Sequence, residues 1–158
     1  MRGAFLIWPL LLLLLASPAL AQKGAPRAHE AAEIEDLVNA AAEILDKRGR
    51  KAFEEFRQPD SAWRHDDLYL FVMDLSGTVL LNAAHPHREG RNWLDERDAD
   101  GKRFHRDFVQ VVRSYGSGWV DYMFPKPGGT IPTVKWSYLR AVTIDGAPAL
   151  VGAGAYVD

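Results

Sequence analysis

Lys135 stands in the stretch Gly118–Tyr138, GWVDYMFPKPGGTIPTVKWSY, which also holds two tryptophans, two tyrosines and three prolines. An ammonium group among rings has a narrow chemistry. In a partly dry cavity it must find an anion or give up its charge. A small carboxylate would satisfy it, with tyrosine hydroxyls donating the remaining hydrogen bonds. The alternative is a strand lysine whose head stays in water, and spacing alone leaves both open. The segment Val151-Gly-Ala-Gly-Ala155 bears on the choice, because it has no large side chain after its valine. Glycine inside a strand often marks close approach of another group. Beside strands rich in Trp and Tyr, such a strand is expected to leave a hollow walled by rings and floored by backbone. The competing expectation is a helix packed tightly onto the bare strand.

Other chemistry-bearing residues give weaker signals. His85-x-His87 has metal-pair spacing but no evident third ligand. Asp98-Ala-Asp-Gly101 hints at a calcium loop yet lacks the glutamate at the twelfth position, so a turn with Asp98 or Asp100 capping the next helix is expected. Ser117 lies in Gly-Ser-Gly, not in a nucleophile elbow. No glycine-rich phosphate loop appears. Cysteine is absent, which excludes disulfides, thiolate nucleophiles and cysteine metal sites. Nothing sets a nucleophile beside a base, so neither an enzyme nor a cofactor is expected. A formal net charge of -2 gives no reason to expect a nucleic-acid partner.

The elements that must position Lys135 follow from periodicity. From about His29, residues Ile34, Leu37, Val38, Ala41, Ile44 and Leu45 form one helical stripe. Gly49 is expected to end or bend this helix, and a short second helix carries Ala52, Phe53 and Phe56 up to Pro59. Leu68–Met73 reads as a strand, Asp74–Gly77 as a turn, and Thr78–Asn82 as the returning strand. Phe104, Phe108, Val111, Val112 and Tyr115 share a helix face, with Gly116 placed as a left-handed cap. Trp119–Phe124, Thr133–Ile144 and Pro148–Val157 read as strands, the last two joined by Asp145-Gly146, the strongest hairpin signal in the chain. The sum is an α+β domain: a five-stranded antiparallel sheet with helices gathered on one side. Alternation puts Trp119, Asp121 and Met123 on one face and Val120, Tyr122 and Phe124 on the other. It likewise opposes Lys135, Ser137 and Leu139 to Trp136, Tyr138 and Arg140. Lys135 and Tyr138 could meet only through a bulge or at a strand edge.

Composition, 47% hydrophobic and 25% charged, suits one globular domain. Arg2, the apolar run Ala4–Leu15 and Ala19-x-Ala21 read as a secretory signal peptide over 1–21, cleaved to give a periplasmic protein, with an uncleaved anchor as the alternative. The apolar run is shorter than the ~20 residues that span a bilayer. A flexible leader over 22–31 and a folded domain over 32–158 complete the expected organisation.

Leu68–Val79, Asp98-Ala-Asp-Gly-Lys102, Gly118-Trp-Val-Asp-Tyr122, Pro125-Lys-Pro127, Lys135-Trp-Ser-Tyr138 and Gly152-x-Gly-x-Tyr-Val157 together resemble the single Cache domains, in particular their second subtype. These are extracytoplasmic sensor modules of bacterial chemoreceptors and histidine kinases. The resemblance runs from about Ala32 to the end. It implies a PAS-like fold, with a long N-terminal helix packed on the five-stranded antiparallel sheet, and binding of small molecules, often short carboxylates, over that sheet. It carries over Tyr69, Trp119, Tyr122, Lys135, Tyr138 and Tyr156 as ligand-binding positions. The chain ends at Asp158, directly after the last strand, so a stand-alone exported form is expected, read by a separate membrane histidine kinase, chemoreceptor or transporter. The other expectation is a protein-protein interaction module with a filled pocket, able to form a homodimer through its N-terminal helix.

Overall fold

A computed structural model describes residues 24–157. The signal-peptide segment lies outside the described residues. Helix α1, Ala28–Arg48, buries Ile34, Val38, Ala41, Ala42 and Leu45, the stripe marked by the apolar spacing. Gly49 stops it with φ +56° and lies against the β-hairpin turn at Asp145, where a Cβ would come within 1.9 Å of the carboxylate. A 3-10 turn, Gly49–Ala52, leads into α2, Phe53–Arg57, which buries Phe53 and Phe56.

Strands β1 (Arg64–His65) and β2 (Leu68–Tyr69) form a small hairpin. Then come β3 (Phe71–Asp74) and β4 (Val79–Asn82), followed by a 3-10 turn at Pro86–Arg88 and helix α3, Phe104–Tyr115. Three long strands close the chain: β5 (Ser117–Pro125), β6 (Pro132–Ile144) and β7 (Ala147–Val157). The main sheet runs in the order β4-β3-β7-β6-β5, with every pairing antiparallel. This is the α+β, PAS-like arrangement with its long N-terminal helix packed on the sheet. The glycine-rich β7 lies at the centre.

Local signals hold closely. Gly116 caps α3 in the left-handed conformation, donating its N–H to the Val112 carbonyl. Asp145 and Gly146 both take positive φ, as a tight hairpin requires. Three expectations need correction. The single strand over Leu68–Met73 is broken at Leu70, because its first half pairs with β1 and its second with β4 and β7. Neither Asp98 nor Asp100 caps α3. Asp98 instead accepts the N–H groups of Asp100, Lys102 and Met123, pinning the loop before α3 to β5.

The third concerns the helices, which do not gather on one side. Val72 and Val151 face α1 in one core, whereas Phe71, Met73 and Leu150 face α3 in a second. A sheet apolar on both faces needs a cover on each.

Candidate functional site

Three strands bring the central residues into line. In the sheet register Tyr122 pairs with Lys135, and Lys135 pairs with Tyr156. Directly opposed residues of adjacent antiparallel strands project from one face, so the lysine stands between two tyrosines on the α3 side. The next row on this face sets Ser137 between Val120 and Gly154, and the one beyond it sets Leu139 opposite Gly152 and Gly152 opposite Phe71.

Lys135 is 0% exposed. Its Nζ lies 3.9 Å from the ring centroid of Tyr69, 4.8 Å from that of Tyr156, and 5.9 Å from those of Phe71 and Phe124. No hydrogen-bond partner among the described residues reaches it. Burial pulls its pKa down to about 7, against a weaker upward pull from Asp67. Asp67 itself pairs with Lys126 at 3.6 Å. The ring faces therefore give the only close stabilisation of the ammonium among the described residues.

The phenols around it are tied to one another. Tyr156 donates to the Pro125 carbonyl at 2.8 Å, which leaves Tyr69 as donor in the 3.4 Å contact between the two hydroxyls. Tyr122 meets Ser137 at 3.0 Å. Burial holds the Tyr69 and Tyr122 hydroxyls well above their usual range and raises that of Tyr156 as well. All three are therefore neutral donors at ordinary pH.

Of the six residues singled out in the sequence, Tyr69, Tyr122, Lys135 and Tyr156 come together here. Trp119 and Tyr138 do not. They pack on the α1 face with ring centroids 5.4 Å apart, and Trp119 Nε1 donates to Glu35 at 2.7 Å. Strand β6 runs without a bulge against both neighbours, so alternation separates Tyr138 from Lys135.

Sequence reasoning passed over two further residues. His85, weighed only for metal, sets its ring edge-on at 5.5 Å to both Tyr69 and Phe124. Its Nε2 is buried without a partner, and burial, followed by the charge of Lys135, lowers its pKa to about 4. Arg88, 7% exposed, makes a two-pronged contact with Glu96 and stacks 4.0 Å from the Trp93 ring and 5.3 Å from that of Phe124. Neither was visible from spacing, because the partners of both include rings or acids supplied by other elements.

The expected hollow is closed. Above Gly152 lie the Phe71 ring and Leu139, and beside Gly154 lie Ser137 and the Trp136 carbonyl. On the other face Ala153 and Ala155 are covered by the α1 core, as the competing expectation had it. Long neighbours have leaned over the bare positions. A cavity of about 20 Å³ remains among Tyr69, Phe71, Arg88, His105, Tyr122 and Phe124. That volume holds one water. A larger groove of about 410 Å³ lies just outside, lined in part by His85, His87, Arg88, Phe124 and Pro132. It shares His85, Arg88 and Phe124 with the surroundings of the inner cavity and of Lys135, and so marks the approach to the ring core. A separate groove of about 500 Å³ beside α1 carries Glu30, Glu33, Asp66 and Asp67, a lining that repels an anion.

Residues 31–158 match a family model described as a Cache domain. Over 94 residues, 60% of this chain, the sequence is 33% identical to the methyl-accepting chemotaxis protein McpP of Pseudomonas putida. The match spans only 17% of the length of that relative. Among solved structures, a Cache chemosensory domain described for carboxylic acid recognition is 25% identical, with a TM-score of 0.69 over 82% of this chain and 95% of that one. A periplasmic sensor domain of a chemotaxis protein is 32% identical, with a TM-score of 0.62 over 84% and 92%. A methyl-accepting chemotaxis protein from Vibrio parahaemolyticus, 20% identical with a TM-score of 0.66 over 82% and 90%, shares the fold.

Proposed function

Because this chain belongs to the Cache domain family, we propose that it is a periplasmic sensor domain that binds a short organic acid at Lys135. One observation carries this reading: a fully buried lysine nitrogen, ringed by aromatic faces, with no hydrogen-bond partner among the described residues. A buried charge in that setting is costly until a counter-ion arrives. A carboxylate supplies the counter-ion, and Tyr69, Tyr122 and Tyr156 supply neutral hydroxyls around it. The solved relative described for carboxylic acid recognition supports the ligand class.

Entry requires motion, since about 20 Å³ does not admit even acetate. The rings of Tyr69 and Phe124, which adjoin the outer groove or its lining residue His85, are the ones that must turn aside. The site binds and does not catalyse. The domain reaches the periplasm behind a leader cleaved after Ala21. A histidine kinase, chemoreceptor or transporter reads its bound state. No helix among the described residues is long and apolar enough to cross a membrane.

Thermal unfolding with a panel of short carboxylates tests the reading. A ligand at a hundred times its dissociation constant adds about 2.7 kcal/mol of stability. Wild-type protein should respond to at least one acid, and Lys135→Ala to none. A flat panel for both proteins refutes acid binding.

The closed core favours a second reading, a protein-protein interaction module with a filled pocket. Homodimerisation through α1 gains little from the packing, since Ile34, Val38, Ala41 and Leu45 of its stripe are spent on the sheet and only Leu37 and Ile44 stay half-buried. A flat acid panel, together with capture of a defined exported partner, would select this reading.

A further inference from the structure

Two buried nitrogens without partners flank the same rings. Lys135 Nζ lies 3.9 Å from the Tyr69 centroid and 5.9 Å from that of Phe124. His85 stands edge-on to both rings, with Nε2 buried and unbonded. A buried polar nitrogen left unbonded costs stability, and a single guest that bonded both would relieve a pair sharing two walls.

Among the described residues, the charges facing this pair leave no spare anion. From the β1–β2 turn comes Asp67, half-exposed and paired with Lys126 of the segment after β5. From the segment after β4 comes Arg88, whose charge is answered by Glu96. His87 stands 6.0 Å from His85, ring to ring. Strands β2, β5 and β7 present only the neutral phenols of Tyr69, Tyr122 and Tyr156, and β6 itself the Ser137 hydroxyl. An ammonium at Lys135 thus has no compensating charge until a ligand brings one.

We propose that the acid is gripped between Lys135 Nζ and His85 Nε2, and that each carboxylate bound brings one proton into the site. This rests on the acid-binding reading and adds to it a second ligand contact and a definite chemical form for what is taken up. In the empty protein the lysine sheds its proton easily, its pKa having fallen to about 7. The arriving carboxylate restores the ammonium, while neutral His85, protonated on Nε2, donates to the second carboxylate oxygen. The site takes up the elements of the undissociated acid, so a rise in acidity and a rise in acid concentration reinforce each other.

Calorimetric titration of the purified protein with propionate, at pH 6 and pH 8.5, tests this in two buffers of low and high ionisation enthalpy. At pH 8.5 the apparent enthalpy should differ between buffers by close to one proton per ligand. Affinity should fall about tenfold per pH unit above pH 7. At pH 6 the buffer difference should shrink toward zero. Lys135→Met should abolish binding. His85→Phe should weaken it about tenfold while keeping the proton uptake. Equal affinity at both pH values with no buffer difference overturns the coupling but leaves acid binding standing. Full affinity in His85→Phe overturns the second contact. Absence of heat with propionate and with every other short acid refutes acid binding, and the coupling with it.

Discussion

Lys135 Nζ sits 3.9 Å from the centroid of Tyr69, and Tyr69 in turn makes its hydroxyl contact with Tyr156, the strand partner of Lys135. The lysine is thus held by the face of one ring and flanked by another. This closed arrangement gives the ammonium ring faces but no counter-ion, and burial lowers its pKa to about 7.

Replacing Lys135 with methionine should stabilise the free protein, since a chain of similar length then fills the same space without a charge to bury. A gain of roughly 1–3 kcal/mol is expected at pH 6, the usual cost of an unpaired buried polar group. Urea unfolding at that pH gives the measurement. A loss of stability would mean that the ring contacts outweigh desolvation.

Stability should also vary with pH in a defined way. Between pH 7 and about 10 the unfolded lysine holds its proton while the folded one has shed it, so the unfolded state binds more protons and stability rises with pH. The slope approaches about 1.4 kcal/mol per pH unit for one fully buried group. His85 and His105, lowered to about 4 and about 3 chiefly by burial, add a second window. There the unfolded chain takes up protons first, and stability falls as pH drops below about 6.5. Denaturation midpoints from pH 4 to 9.5 should therefore climb in two steps. Lys135→Met should remove only the upper one.

The two glycines facing the ring core should differ in their tolerance of alanine. At Gly152 a Cβ would meet the Phe71 ring tip at 2.6 Å and a Leu139 methyl at 2.7 Å, both able to shift, so a loss of roughly 1 kcal/mol is expected. At Gly154 it would come within 2.1 Å of the Trp136 carbonyl, which is fixed in the β6–β7 ladder. That change should cost roughly 3 kcal/mol. Phe71→Leu should partly rescue Gly152→Ala and leave Gly154→Ala unrelieved, as thermal unfolding of the double variants will show.

Trp119→Phe removes the hydrogen bond to Glu35 on the α1 face. A stability loss of about 1 kcal/mol should follow, with the response to acids unchanged. Any weakening of acid binding in this variant would contradict the separation of the two sheet faces.

Much of this was legible in residues that act locally. The α1 stripe, the Gly116 cap and the Asp145-Gly146 turn depend on neighbours a few positions away, and each falls where the sequence puts it. The alternation that set Tyr138 against Lys135 also holds, and it decides against Tyr138 and Trp119 as neighbours of the lysine even though the family resemblance carried them over. What escaped is non-local. Nothing near Leu70 foretells that one apolar run will serve two different partners. The bare stretch around Gly152 looked empty because the Phe71 ring and the Leu139 side chain that lean over it belong to β3 and β6. His85 drew notice for its spacing to His87, whereas its surroundings are built by Tyr69 and Phe124 from distant strands.

At Gly152–Ala155 the sheet is hardly thicker than its own backbone, with α1 pressed on one surface and the ring core on the other. A side-chain-rich strand would absorb small displacements by rotamer changes, but here there is little to absorb them. Were Phe71, 5.9 Å from Lys135 Nζ, to be pushed aside, it would bear on the Gly152 peptide, in a strand whose other surface carries α1. The middle of the domain is therefore built like a thin diaphragm, with the longest described helix resting on its far side.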